Sequence, residues 1–258
     1  MTKLPVIFFG HGSPMLALEK SETTEGLKVI GEEILKKYQS PKAILMISAH
    51  WYAKDTFIQT TTSPTQIYDM YGFPDELYQF KYPVQGYPKL SMRVKELLGD
   101  SVSANDEWGI DHGAWTVLTH VFPDADIPVV QLSINKNLTT DEMFKIGQRL
   151  SPLREEGILI MASGNIVHNL LRTDWRNTHG TKTSEEFNKN IVSLVENKDF
   201  EKLIHYKDLD HWLYAIPTPD HYLPLLYILG AAGDDTVQVF NNFCNLGTMA
   251  MTGFAFGL

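Results

Sequence analysis

Cysteine is nearly missing from this chain: Cys244 stands alone among 258 residues. That excludes an intramolecular disulfide and any thiolate-based zinc site, and it fits a reducing compartment such as the cytoplasm. Positive charge is also short, with 22 Lys and Arg against 31 Asp and Glu for a net charge of -9. A nucleic-acid partner or an anionic membrane partner is therefore not expected. No apolar run approaches the ~20 residues of a membrane-spanning helix. The opening Met1-Thr2-Lys3-Leu4-Pro5 lacks the apolar core and small-residue cleavage site of a secretory signal. Several catalytic signatures are absent too. Neither Ser13 nor Ser163 sits in a Gly-x-Ser-x-Gly elbow, no HExxH occurs, and Gly10-His11-Gly12 has neither the glycine pattern nor the lysine of a phosphate loop.

What the chain has is histidine, nine in all, several of them at the ends of predicted elements. The run Pro5-Val6-Ile7-Phe8-Phe9 breaks at Gly10-His11-Gly12, which reads as a buried strand delivering His11 to a tight loop. Ala43 to Trp51 is a second near-continuous apolar strand, with His50 where it stops. Gly157 to Asn165 is a third, running out just before His168. Helices are expected over Glu19–Lys37, Lys89–Leu98, Thr140–Leu150 and Ser184–Asn197. Another follows an Asp111 N-cap to about Val121, and one more follows a Thr218 N-cap with Pro219 at its first position. Further strands are expected over Thr56–Thr62, Ser101–Asn105, Ile127–Ile134, Val237–Phe243 and Met249–Phe256. The segment from Ile67 to Pro83 is aromatic and interrupted by Gly and Pro, and reads as a long ordered loop.

This order predicts one α/β domain over residues 1–258, with a mixed, centrally parallel sheet flanked by helices. Ligands of such sheets sit beyond the carboxyl ends of the strands. His11, His50 and His168 are expected at that edge, and His112 and His221, each after an aspartate at a helix start, at the same edge. Without thiolates, imidazole is the best ligand for a borderline metal. His120, His179, His205 and His211 are read as surface or structural.

Five motifs carry a resemblance: His11-Gly12-Ser13-Pro14, Ser48-Ala49-His50-Trp51, Trp108 to Trp115, Ala162 to Asn169, and Pro217 to Leu225. Together they resemble the class III extradiol ring-cleavage dioxygenases, most closely the branch named for 4,5-DOPA extradiol dioxygenase. The resemblance implies one divalent metal per chain, Fe(II) for activity with Zn(II) also able to occupy the site. It further implies a catechol substrate such as DOPA, O2 as co-substrate, and a muconic semialdehyde product. His11 and His50 match the family's metal ligands. His168 matches the catalytic base, counted in some members as a metal neighbour, and His112 matches a residue that guides oxygen or a ring hydroxyl. His221 stands where the protocatechuate branch has a glutamate, with Asp220 beside it. The aromatic loop is expected to wall the substrate, through Tyr71 and Phe73. A zinc-dependent hydrolase on the same scaffold and a Memo-like protein without dioxygenase activity are the competing readings. A homo-oligomer is compatible with the sequence.

Overall fold

The near-continuous apolar runs form strands buried on both faces, and the computed structural model, which describes residues 2–38 and 40–258, assembles them into one eight-stranded sheet. In chain order the strands are β1 Val6–Gly10, β2 Ala43–Ala53, β3 Phe57–Ile58, β4 Ser103–Ala104, β5 Val129–Asn135, β6 Ile158–Gly164, β7 Val237–Phe240, β8 Cys244–Asn245, β9 Met249–Ala250 and β10 Gly253–Phe256. The helices are α1 Glu22–Lys37, α2 Asp75–Gln79, α3 Pro88–Leu98, α4 His112–Val121, α5 Thr140–Leu150, α6 Lys182–Glu196, α7 Phe200–Ile204, α8 Trp212–Ala215 and α9 Leu223–Ala232. The sheet runs β4-β3-β5-β2-β6-β1-β10-β7, while β8 and β9 pair separately. Its centre, β5-β2-β6-β1, is parallel, and β3, β10 and β7 add antiparallel edges. The expected mixed sheet with a parallel centre is the one observed.

Each face of the sheet carries its own apolar layer. On one side Ile7, Phe9, Ile44 and Met46 pack with Leu27, Ile30 and Ile34 of α1 and with Trp115, Val117 and Leu118 of α4. On the other side Phe8, Leu45, Ile47 and Ile160 meet α3, α5, α6 and α9. All ten residues of α9 are buried, as befits a helix held between a sheet and a second helix.

Several expected boundaries move, each for a local reason. The predicted strand over Thr56–Thr62 shrinks to Phe57–Ile58, because the Asp106 carboxylate accepts the Thr60 and Thr61 N–H groups at 2.6 and 3.0 Å. Val237–Phe243 stops at Phe240, since Asn241 turns into the left-handed region at φ 49. Met249–Phe256 divides at Met251-Thr252: its first half pairs with Cys244-Asn245, its second with Val6–Phe8. The expected Thr218 cap and Pro219 start are also corrected. Pro219 O accepts from Tyr222 and Leu223 N in a turn, and the His221 carbonyl is taken by Asn165 N at 2.9 Å. The helix therefore starts at Leu223, with Pro224 in its first turn. The expected aromatic loop is present but contains the short helix α2.

One buried cation ties the N-terminus of the sheet to the end of α9. Arg154, 1% exposed, donates to Leu4 O at 2.7 Å and Ala231 O at 2.8 Å, and pairs with the Asp235 carboxylate. Removing one member of such a pair leaves the other buried and uncompensated. Asp235→Ala is expected to cost about 2–3 kcal/mol. A thermal melt should show this as a drop of roughly 5–10 °C for a chain of this size.

Candidate metal centre

Two strands that flank β6, β1 and β2, are held in register by it and set the first histidines side by side. β1 pairs with β6 through Gly10 opposite Gly164, and the next residue, His11, donates its N–H to Gly164 O at 3.2 Å. A Cβ on Gly10 would lie 2.6 Å from the Met251 carbonyl carbon, so only glycine lets the chain pass there. β2 pairs with β6 as far as Ser48 opposite Ser163, and its register with β5 shifts between Ile47 and Tyr52. His50 lies in that irregularity, a common device for re-aiming a side chain beside a site. The strand does not stop at His50 as the sequence suggested but continues to Ala53.

The other three histidines come from one helix start and two loops. Asp111 caps α4 by accepting Ala114 N–H at 3.2 Å, which places His112 at the first position of the helix. His168 is held by its N–H to Ala215 O at 2.8 Å and a bridge to Met249. His221 lies in the turn before α9, its carbonyl so close to Gly164 that a Cβ there would sit 2.1 Å away.

The five imidazoles meet at one place. The ring centroids of His11, His50 and His221 form a triangle with all three sides 5.1 Å. His168 stacks flat on His221 at 3.5 Å, and His112 lies against His50 at 3.8 Å. Ligand atoms of His11, His50 and His112 fall within 4.8 Å of one another, as do those of His168, Asp220 and His221; the triangle joins the two groups. All five rings are buried except His50, which is partly exposed.

Hydrogen bonding sorts the nitrogens. His11 Nδ1 is 2.8 Å from Ser163 Oγ, His50 Nδ1 is 3.2 Å from Asp69 Oδ2, and His221 Nδ1 is bonded to the Asp220 carboxylate. With the proton held on Nδ1, by a hydrogen bond in His11 and His221 and by the adjacent carboxylate charge in His50, each ring keeps its Nε2 lone pair for the inside. The Nε2 atoms of His11 and His50 are 3.2 Å apart. Two lone pairs that close repel unless a proton or cation lies between them. Three nitrogens bound tetrahedrally at the usual ~2.0–2.1 Å would be roughly 3.3 Å apart, with ring centroids roughly 5.2 Å apart. The donor set therefore fits one divalent metal.

The protonation states suit that fit. Burial first, then mutual repulsion, drives the His11 and His221 pKa values well below the ordinary value. His50 is lowered to about 3 and His168 to about 4, again chiefly by burial. Neutral imidazole is the ligating form. Asp69 behaves oppositely to a lone buried acid: burial raises its pKa, but hydrogen bonds and charge from His112 and His50 outweigh this and lower it. Asp111 is pushed up by burial and by the charge of Asp69, against hydrogen bonds from Ser48, Trp108 and Gln131.

Of the two expected substrate residues, Tyr71 is 91% exposed, whereas Phe73 is half-buried against the core. His120 contacts Leu16 O at 2.7 Å, and His205 is exposed near Glu201, in keeping with structural roles. Sequence reasoning passed over Ser163 and Asp69. Ser163 was legible in part, lying opposite Ser48 at the end of a buried strand. Asp69 lies in an irregular loop 43 residues before His112, and no local pattern pairs the two.

Residues 5–257 match the family described as the catalytic LigB subunit of aromatic ring-opening dioxygenase. The chain belongs to that family. A protein of Escherichia coli K12 named 4,5-DOPA dioxygenase extradiol is 38% identical, over 99% of this chain and 96% of its own length. A Beta vulgaris protein of the same name is 36% identical over 96% and 95%. A Hapsidospora irregularis protein named only as a dioxygenase, tasH, is 33% identical over 76% of this chain and 65% of its own. In three dimensions the crystal structure of an uncharacterized E. coli K12 protein superposes with a TM-score of 0.84 at 34% identity, covering 98% of this chain and 100% of that one. Family members are metal-dependent ring-opening dioxygenases, and the buried histidines of this chain could hold such a metal.

Two outcomes test the centre. A Cβ on Gly113 would lie 2.7 Å from both His50 Cδ2 and Ser48 Oγ. Gly113→Ala should therefore displace the His50 ring and weaken Zn2+ binding at least ~10-fold, measured by chelator competition. The second concerns pH. Between about 6.5 and 4 the unfolded chain protonates its histidines while folded His50 and His168 stay neutral, so the unfolded state binds more protons and stability falls as pH falls. The melting temperature of metal-free protein should decline across that window, and less steeply in His168→Phe.

Proposed function

We propose that the protein is an extradiol dioxygenase that opens a catechol ring, DOPA-like in class, with both atoms of O2 incorporated and a muconic semialdehyde released. The observation that carries this reading is the His11–His50–His221 triangle, each Nδ1 tied outward, with His112 and His168 set against its rings. His11, His50 and His221 would hold one divalent metal, Fe(II) for activity, and His168 lies beside them as a near neighbour. When bound, the metal supplies Lewis acidity toward the catechol oxygens and electronic contact between ring and dioxygen.

The chain's own residues do the rest. His168, neutral at physiological pH and stacked on His221, accepts a ring hydroxyl proton; base catalysis of this kind is worth ~10²–10⁴-fold. His112, on the opposite flank against His50, orients oxygen or the second hydroxyl and returns a proton to the opened product. The aromatic loop, through Phe73, shields the ring from water, whereas Tyr71 is turned out to solvent and takes no part. Two relatives named for 4,5-DOPA support the substrate class. The protein would act on small molecules in the cytoplasm.

One observation favours a second reading. Three imidazoles with no directly placed carboxylate also suit Zn(II) and a zinc-bound hydroxide, which would make the protein a hydrolase.

Anaerobic reconstitution with Fe(II), followed by L-DOPA and catechol under oxygen, separates the two. The expected result is stoichiometric oxygen uptake and a yellow semialdehyde chromophore. Tight zinc with ester or amide hydrolysis and no oxygen uptake would sink the dioxygenase assignment. His50→Ala should lose metal and activity together. His168→Phe should keep most of the metal while kcat falls ~10²–10⁴-fold; equal metal loss in both would make His168 a fourth ligand.

A further inference from the structure

Among the described residues, Asp69 is the one carboxylate within 3.2 Å of two of the five histidines. Its Oδ2 lies 3.2 Å from His50 Nδ1, while its Oδ1 accepts the His112 backbone N–H at 2.9 Å and lies 3.1 Å from His112 Nδ1. Neither ring contact is an aligned hydrogen bond, and among the described residues His112 Nδ1 has no aligned partner. So both rings feel the charge of Asp69 while the His112 backbone takes the hydrogen bond. The N–H that Asp69 accepts is an unpaired donor of the first turn of α4, where a carboxylate is favoured by the helix dipole.

The carboxylate is held from behind as well. It sits in the irregular stretch between Ile67, whose N–H donates to Ile110 O at 2.9 Å, and Met70, whose carbonyl accepts from the Tyr78 hydroxyl at 3.4 Å. Trp115 Nε1 donates to Ile67 O at 3.0 Å, fastening the loop to α4 itself. The Asp69 side chain is only 12% exposed. A short acid in a fixed loop, aimed at two rings and a helix start, is built to set orientation.

We infer that Asp69 is a positioning residue of the metal centre: it fixes the Nδ1–H tautomer of His50, so that Nε2 faces inward, and it seats His112 beside that ring. This rests on the reading of His50 as a metal ligand. No other described acidic group lies on His50 Nδ1, whereas His11 and His221 have Ser163 and Asp220 for the same purpose. Without Asp69 the His50 ring would be free to rotate or to carry its proton on Nε2, and either change removes one of three ligands.

The test uses the full chain and Zn2+ alone as probe, with affinity read by chelator competition. Asp69→Ala should weaken Zn2+ ~10–100-fold, the usual consequence of losing the outer partner of a metal-bound histidine. Asp69→Asn should recover only part of the loss, since it keeps an amide oxygen near Nδ1 without the carboxylate charge. Tyr78→Phe, which loosens the same loop next to Asp69, should leave affinity unchanged. In metal-free protein, nitrogen-15 spectra should place the His50 proton on Nδ1 in the wild type and redistribute it toward Nε2 in Asp69→Ala. Should Asp69→Ala fail to fold, the near-isosteric Asp69→Asn carries both measurements. Unchanged Zn2+ affinity in Asp69→Ala, or an equal loss in Tyr78→Phe, would overturn the assignment. If His50→Ala also kept its zinc, the fault would lie in the metal-ligand reading instead.

Discussion

Parallel register is the constraint on which the centre depends. β6 lies between β1 and β2 and holds both in register, with Gly10 opposite Gly164 and Ser48 opposite Ser163. Because the side-chain period in a strand is two, a slip of one residue would turn Ser163 away from His11 and bury the wrong face. The apolar layers on both sides prevent that slip: Ile7 and Phe9 belong to one core, Val6 and Phe8 to the other. Thus the same packing that stabilises the sheet also fixes where the first imidazoles stand.

Close packing then carries that precision to the loops. The His221 carbonyl rests against Gly164, the Met251 backbone against Gly10, and the His50 ring against Gly113. Each contact places a backbone or ring where any side chain would intrude. The loop bearing His221 is further locked by its hydrogen bond from Asn165, the residue just past β6. Rings presented by five segments can therefore meet within one small volume although two of them follow no regular strand.

What could be read from the sequence was whatever repeats locally. Apolar runs ending in Gly-His or Ala-His marked the buried strands and their histidines, and Asp111 before a helical pattern marked a cap. The helix start near Pro219 was misplaced because two prolines, Pro219 and Pro224, offer the same local signal; only the tertiary hydrogen bond from Asn165 to the His221 carbonyl decides between them. The strand after Thr56 was overextended for a similar reason, its donors being claimed by the distant Asp106. Asp69 is the clearest case. Its loop reads as irregular from Gly and Pro content, and its partners come from β2 and α4, which only the folded chain brings to it.

The anchoring of the triangle has a consequence for electroneutrality. Asp69 and Asp220 each stand directly behind an imidazole, and Ser163, behind the third, is uncharged. Two carboxylates at one remove would balance the charge of a divalent ion without occupying any position on it. On the reading proposed above, an ion held by the triangle would meet nitrogen alone from those three residues, leaving its other positions to oxygen donors. A ring giving up a proton beside such an ion would, on the same reading, find the buried, neutral His168 in the same cluster.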